Sequence, residues 1–200
     1  MDALGCSRKD RDMVTSREFS HTLVVGGTGM LREASVALAS RSGRLTSVAR
    51  TQRSLLSLDA ELARTGCVHH LLALDWNVPD RFLAEIERHI GATEPPELVV
   101  AWIHEDHLAL RLAAVLARMG HPLRFFHVVG SARTNPKQLA DSLSQGLEPH
   151  PNLRYHQVVL GARRSGGSMR WLTHQEISAG VLQAIEAGLA QWMVGDVGGY

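Results

Sequence analysis

The chain is 200 residues long, 44% hydrophobic and 20% charged, with a formal net charge of +1. That length suits one domain with one sizeable core, and the composition is that of an ordinary globular protein. Both signs of charge are scattered, so no one-sided basic stripe for nucleic acid forms. No apolar run of about 18 residues offers a membrane span. Cys6 and Cys67 show neither metal spacing nor a disulfide framework. The charged N-terminal stretch lacks the apolar core of a secretory signal, and a cytoplasmic setting is expected.

In chain order, residues 1–20 read as a disordered leader, 21–190 as one domain and 191–200 as a flexible tail. A first strand is expected over His21–Val25, running into Gly26-Gly27-Thr28-Gly29, and a helix from Met30 to Ser40 follows. Leu45–Ala49 reads as the second strand and ends at Arg50. Leu55, Leu58 and Leu62 then recur at helical spacing. Val68–Leu74 is the third strand, followed by Asp75, and Pro79 opens a helix carrying Phe82, Leu83, Ile86 and Ile90. Leu98–Ile103 is a near-continuous apolar run, as a strand buried on both faces requires. A helix with Leu108, Leu112, Val115 and Leu116 leads to a fifth strand, Phe125–Val129, then Gly130-Ser131. Asn135-Pro136 opens a further helix with Leu139 and Leu143. Arg154–Leu160 is a sixth strand, and 161–169 reads as a loop whose Arg163 and Arg164 can form a lid. Thr173 and Glu176 form a capping box for the last helix.

Five strand–helix alternations with short connections imply an α/β fold, a doubly wound parallel sheet of about six strands with helices on both faces. Right-handed crossovers favour the order 3-2-1-4-5-6, with the ligand at the carboxyl ends of the strands, across the first and fourth. The Gly26-to-Gly29 turn lies where backbone must approach a pyrophosphate, beside the positive end of a helix.

The segment Val24-Val25-Gly26-Gly27-Thr28-Gly29-Met30-Leu31 resembles the opening of short-chain dehydrogenase/reductases and the related NmrA-like proteins. In their Gly-x-x-Gly-x-x-Gly pattern, Gly26 and Gly29 match and Arg32 replaces the third glycine, which normally allows close helix–strand packing. Ser47-Val48-Ala49-Arg50 resembles the family's second strand, and Leu74-Asp75 its third, whose Asp contacts adenine. Val99-Val100-Ala101-Trp102 stands where Asn-Ala-Gly is usual, and His127-Val128-Val129-Gly130-Ser131 resembles the strand leading to the catalytic Ser. The likeness spans about residues 21–132. It implies a dinucleotide held by Gly26, Gly27, Thr28, Gly29, Met30, Leu31, Arg50, Asp75, Ala101, Trp102 and Ile103. An Arg at the end of the second strand pairs with a 2′-phosphate, which favours NADP(H) over NAD, and Arg53 can add a second contact.

The sequence departs from the family at its catalytic centre. No Tyr-x-x-x-Lys occurs: Tyr155 is followed four positions on by Val159, and Lys is found only at Lys9 and Lys137. Candidates for the chemistry are Ser131, Tyr155 and His104, with Glu105, His107, His127 and His156 nearby in sequence. Histidine titrates near neutrality and serves as acid or base. The expected function is reduction of a small carbonyl or imine substrate with NADPH. The alternatives are a non-catalytic NADP(H)-binding redox sensor and a non-redox enzyme on the same scaffold. The sequence leaves a homo-oligomer open.

Overall fold

The computed structural model describes residues 17–130, 150–166 and 168–196. The chain has strands β1 Phe19–Val25, β2 Ser42–Ala49, β3 Val68–Ala73, β4 Leu98–Ala101, β5 Leu123–Gly130, β6 Leu153–Leu160, β7 Ala162–Ser165, β8 Ser168–Trp171 and β9 Gln191–Val194 among the described residues. Seven of them form a wholly parallel sheet in the order β3-β2-β1-β4-β5-β6-β9. Helices α1 Arg32–Arg41, α2 Gln52–Leu62, α3 Pro79–Gly91, α4 Asp106–Ala117 and α5 His174–Ala187 connect and cover them. The expected architecture is therefore observed, with seven strands in the sheet rather than six. No helix of the described residues is long and apolar enough to cross a membrane.

The two faces have separate cores. One packs Leu31 and Leu38 of the first helical segment, Leu58 and Leu62 of α2, and Ile177, Val181 and Ile185 of α5 against Val24, Val100, Phe126 and Val158. The other packs Phe82, Ile86 and Ile90 of α3 and Leu108, Leu112 and Leu116 of α4 against Leu23, Val99 and Phe125. Adjacent residues of β1, β4 and β5 thus point to opposite faces, and both faces are apolar. This is why β4 reads as an unbroken hydrophobic run and β1 ends in one at Leu23–Val25.

Two segments differ from the sequence expectation. Residues expected as a loop form an antiparallel hairpin, β7 Ala162–Ser165 and β8 Ser168–Trp171. The expected tail begins with β9, which pairs with β6 over Gln157↔Gln191 to Leu160↔Val194. Val194 is buried against Gly180 of α5, where a Cβ would fall on its side chain. The contact binds the strand to the helix, and loss of apolar burial would oppose its fraying. The helix expected from Asn135-Pro136 lies outside the described residues.

Candidate active site

At the sheet's centre the carboxyl ends of β1, β2 and β4 lie nearly level, and β5 runs on to Gly130. Val25 of β1 pairs with Val48 of β2 and Ala101 of β4, and Ala101 pairs with His127 of β5. Beyond these ends a cleft of about 260 Å³ opens, lined by Gly26, Thr28, Gly29, Met30, Ala49, Arg50, Thr51, Ser54, Trp76, Trp102 and His104. A larger hollow of about 680 Å³ lies at the opposite, amino end of the sheet, among Glu18, Glu94, Glu97, Arg124 and Arg154. Doubly wound sheets bind ligands outside the carboxyl ends of their strands, so the smaller cleft is the candidate site.

Each glycine of the turn has a separate reason. Gly26 has φ +79°, and a Cβ there would stand 2.7 Å from the Trp102 carbonyl oxygen, so only glycine lets β1 turn beneath the end of β4. At Gly27 a Cβ would fall on Ser35 Oγ and within 2.8 Å of Val24 Cγ1. Ser35 Oγ donates to the carbonyls of Leu31 and Gly27 at 2.9 and 3.1 Å. Gly27 therefore supplies the close packing of helix on strand that the third glycine usually gives. Arg32 is free to turn outward, pairing with Glu61 at 2.7 Å and donating to the Ser57 backbone. Nothing lies within 4 Å of a Cβ built on Gly29. Gly29 lines the cleft and is exposed, so its backbone is open to approach from the cleft.

Arg50 extends from the end of β2 into solvent. Its guanidinium lies over the Trp76 ring, 5.0 Å from the centroid, a cation–π contact that orients the group. Thr51 caps α2, and Ser54 stands one turn on with its hydroxyl 2.7 Å from that of Thr51. A cation, two hydroxyls and a helix N-terminus thus share one rim of the cleft, a donor set suited to a phosphate.

Several expected contacts are not brought to the cleft. Leu31, Ala101 and Ile103 are buried in the cores, so their side chains are not available to a ligand. Gly27 faces Ser35 rather than the opening. Asp75 does not line the cleft, because its carboxylate closes a turn by accepting from Asn77 N at 3.0 Å. Trp76, which no sequence argument singled out, lines it instead. Its signal was present: an aromatic residue just beyond the carboxyl end of the third strand, the strand next to the one that ends at Arg50.

Among the catalytic candidates, Ser131 lies outside the described residues. His104 is exposed at the cleft and meets the Trp102 ring edge-to-face at 5.3 Å. Tyr155 is not at the cleft. It pairs in register with Phe125, two residues before His127, and stacks on that ring. Its hydroxyl is 2.6 Å from His127 Nδ1, and His127 Nε2 is 3.6 Å from an Asp106 carboxylate oxygen. The phenol and the imidazole share this hydrogen bond, with its direction set by the tautomer of His127. Burial lowers the His127 pKa to about 4, and burial together with the Asp106 charge pushes the Tyr155 phenol well above its ordinary value. Tyr155 is thus half-buried, hydrogen-bonded and packed against the core, and its early position on β6 sets it away from the cleft. His156 is likewise structural: it is buried, stacks on Phe126 and donates from Nδ1 to the Leu189 carbonyl at 2.8 Å. No group of three or more His, Cys, Asp or Glu suited to a metal ion occurs among the described residues.

No protein-family model matches the chain. No curated protein matches it by sequence. Solved structures match by shape. A bulky-bulky ketone specific alcohol dehydrogenase from Comamonas testosteroni is 17% identical, with 87% of this chain and 85% of that one covered and a TM-score of 0.71. A short-chain dehydrogenase from Sphingobium yanoikuyae, in complex with NADPH, is 18% identical over 86% and 87%, with a TM-score of 0.69. A metagenomic short-chain oxidoreductase in complex with NADP is 15% identical over 88% and 96%, with a TM-score of 0.63. At such identities these likenesses show shape alone: the chain has the doubly wound Rossmann fold of short-chain dehydrogenases.

Proposed function

We propose that the chain binds NADP(H) along the cleft and uses it to reduce a small carbonyl or imine substrate. The observation that carries this reading is that the uncrowded Gly29 backbone and the Arg50–Thr51–Ser54 rim line one cleft. The turn from Gly26 to Met30 and the positive end of α1 would hold the pyrophosphate. Arg50, Thr51 and Ser54 would hold the 2′-phosphate, and Trp76 would hold the Arg50 guanidinium in place. The bound dinucleotide supplies the hydride.

His104 is the proposed proton donor to the substrate oxygen or nitrogen, because it is the ionisable side chain exposed beside Trp102 at the cleft. Ser131, next after Gly130 at the end of β5, is proposed to polarise the acceptor. A preorganised donor of that kind contributes about 10²–10³ in rate. Single-turnover oxidation of NADPH with aldehydes, ketones and cyclic imines tests the assignment. His104→Ala and Ser131→Ala are expected to slow turnover and to leave NADPH affinity unchanged. Turnover of Ser131→Ala and His104→Ala at the wild-type rate would remove both roles.

A second reading, a non-catalytic NADP(H) sensor, is favoured by one observation: the sequence has no Tyr-x-x-x-Lys, and Tyr155 is committed to His127. Tight NADPH binding with no oxidation across the panel would support it.

A further inference from the structure

The hairpin β7–β8 crosses toward the carboxyl end of β5, and its two faces have different tasks. Arg163 and Arg170 pair across the ladder, and both reach Glu176 of α5, at 2.6 and 2.8 Å. This face ties the hairpin to the body of the protein. Side chains alternate along a strand, so Ala162, Arg164, Met169 and Trp171 share the opposite face. Trp171 and Met169 are 44% and 43% exposed. Arg164 is exposed and makes no hydrogen bond or ion pair with the described residues.

That opposite face meets the end of β5. A Cβ built on Gly130 would be 3.7 Å from the Trp171 ring tip and 3.9 Å from the Trp102 ring tip. Two indoles from separate elements therefore converge on one residue that has no side chain, without stacking on each other. Trp102 continues into the cleft beside His104. A tryptophan buries 150–250 Å² when covered, so the exposed parts of Trp171 and Met169 are apolar surface still open to burial. A ligand that covers them buries it.

We propose that this is the substrate slot, and that its substrate is a flat aromatic carbonyl compound bearing an anionic group. The inference rests on the reductase reading above and names its substrate class. The ring lies against Trp102 and Trp171 over Gly130, with the Met169 thioether at its edge. Arg164 takes the anion, for which the planar guanidinium is suited.

The test is titration of the NADPH-bound protein with para-acetylbenzoate, its neutral methyl ester, and the aliphatic keto acid levulinate, read by tryptophan fluorescence and calorimetry. Para-acetylbenzoate is expected to bind at least about tenfold more tightly than either of the others, a difference of about 1.4 kcal/mol. Arg164→Met is expected to erase the advantage over the ester. Trp171→Leu is expected to erase the advantage over levulinate. Both variants are expected to retain wild-type NADPH affinity. Equal binding of all three ligands by wild type, or no binding of para-acetylbenzoate while NADPH binds, overturns the slot and leaves the cofactor reading intact. Loss of NADPH binding in wild type overturns the cofactor reading, and the same titration of the cofactor-free protein then decides the slot by itself.

Discussion

At the scale of single residues, the two inner glycines of the turn separate folding from binding. Gly27→Val drives a branched side chain into Ser35 and Val24. Overpacking of this kind costs about 1–3 kcal/mol, so thermal unfolding is expected to fall by several degrees. Gly29 has an ordinary φ and open space over its Cα. Gly29→Val is therefore expected to unfold at the wild-type temperature and to lose NADPH affinity, which circular dichroism melting and cofactor fluorescence together would check. The sequence identifies both residues as members of a phosphate turn, and it does not tell their tasks apart, because the distinction depends on Ser35 packing one helical turn away. Arg50 was legible for the opposite reason: the end of a strand is a position that strand order alone places at the cleft. Tyr155 shows the limit. Its residue type invites a catalytic role, but its register with Phe125 packs it against the core, away from the cleft, and register is a property of the neighbouring strand.

At the scale of elements, the hairpin and the last strand were the pieces missed. Gly166-Gly167 between two runs of four is a hairpin signal, but Arg163, Arg164 and Arg170 mask the strand pattern until Glu176 is seen to hold two of them. The apolar character of Trp192, Met193 and Val194 was outweighed by the glycines that follow. Glu176 ties these parts together: it closes the capping box of α5 with Thr173 and receives both arginines. Those partners, Arg170 first, hold its carboxyl well below the usual carboxylate range. A depressed carboxylate pKa contributes stability that is present above the unfolded value and lost as pH falls through the folded one, so its loss belongs to strongly acid solution. Glu176→Gln keeps the shape and removes the charge. It is expected to increase hydrogen exchange of the β7–β8 amides and to leave exchange in β1 and β4 unchanged. Equal exchange in the hairpin of the two proteins would show that the ion pairs do not hold it.

At the scale of the whole molecule, the sheet order was readable because buried parallel strands and amphipathic helices alternate with short connections, and handedness leaves few arrangements. The same burial sets the protein's response to acid. His21 lies wholly inside, between the Glu94 carbonyl and Thr46 Oγ1 at 2.5 and 2.9 Å. Burial lowers its pKa to about 4, as it does for His127. Both are neutral in the fold and take up protons in the unfolded chain below about pH 6.5. The unfolded state then binds more protons, so stability falls as pH drops from about 6.5 to 4, by up to about 1.4 kcal/mol per pH unit for each histidine. Urea midpoints across this interval are expected to decline, and less steeply in His127→Phe; a flat profile in wild type would show that the buried histidines do not control it. The central claim is that the cleft at the carboxyl ends is an NADP(H) site. Calorimetric titration of NADPH and NADH into wild type and Arg50→Ala tests it most directly. NADPH is expected to bind wild type about tenfold more tightly than NADH, about 1.4 kcal/mol, through a charge-assisted contact to Arg50, and Arg50→Ala is expected to bind the two equally. Equal affinities in wild type, or an undiminished preference in Arg50→Ala, would contradict the account.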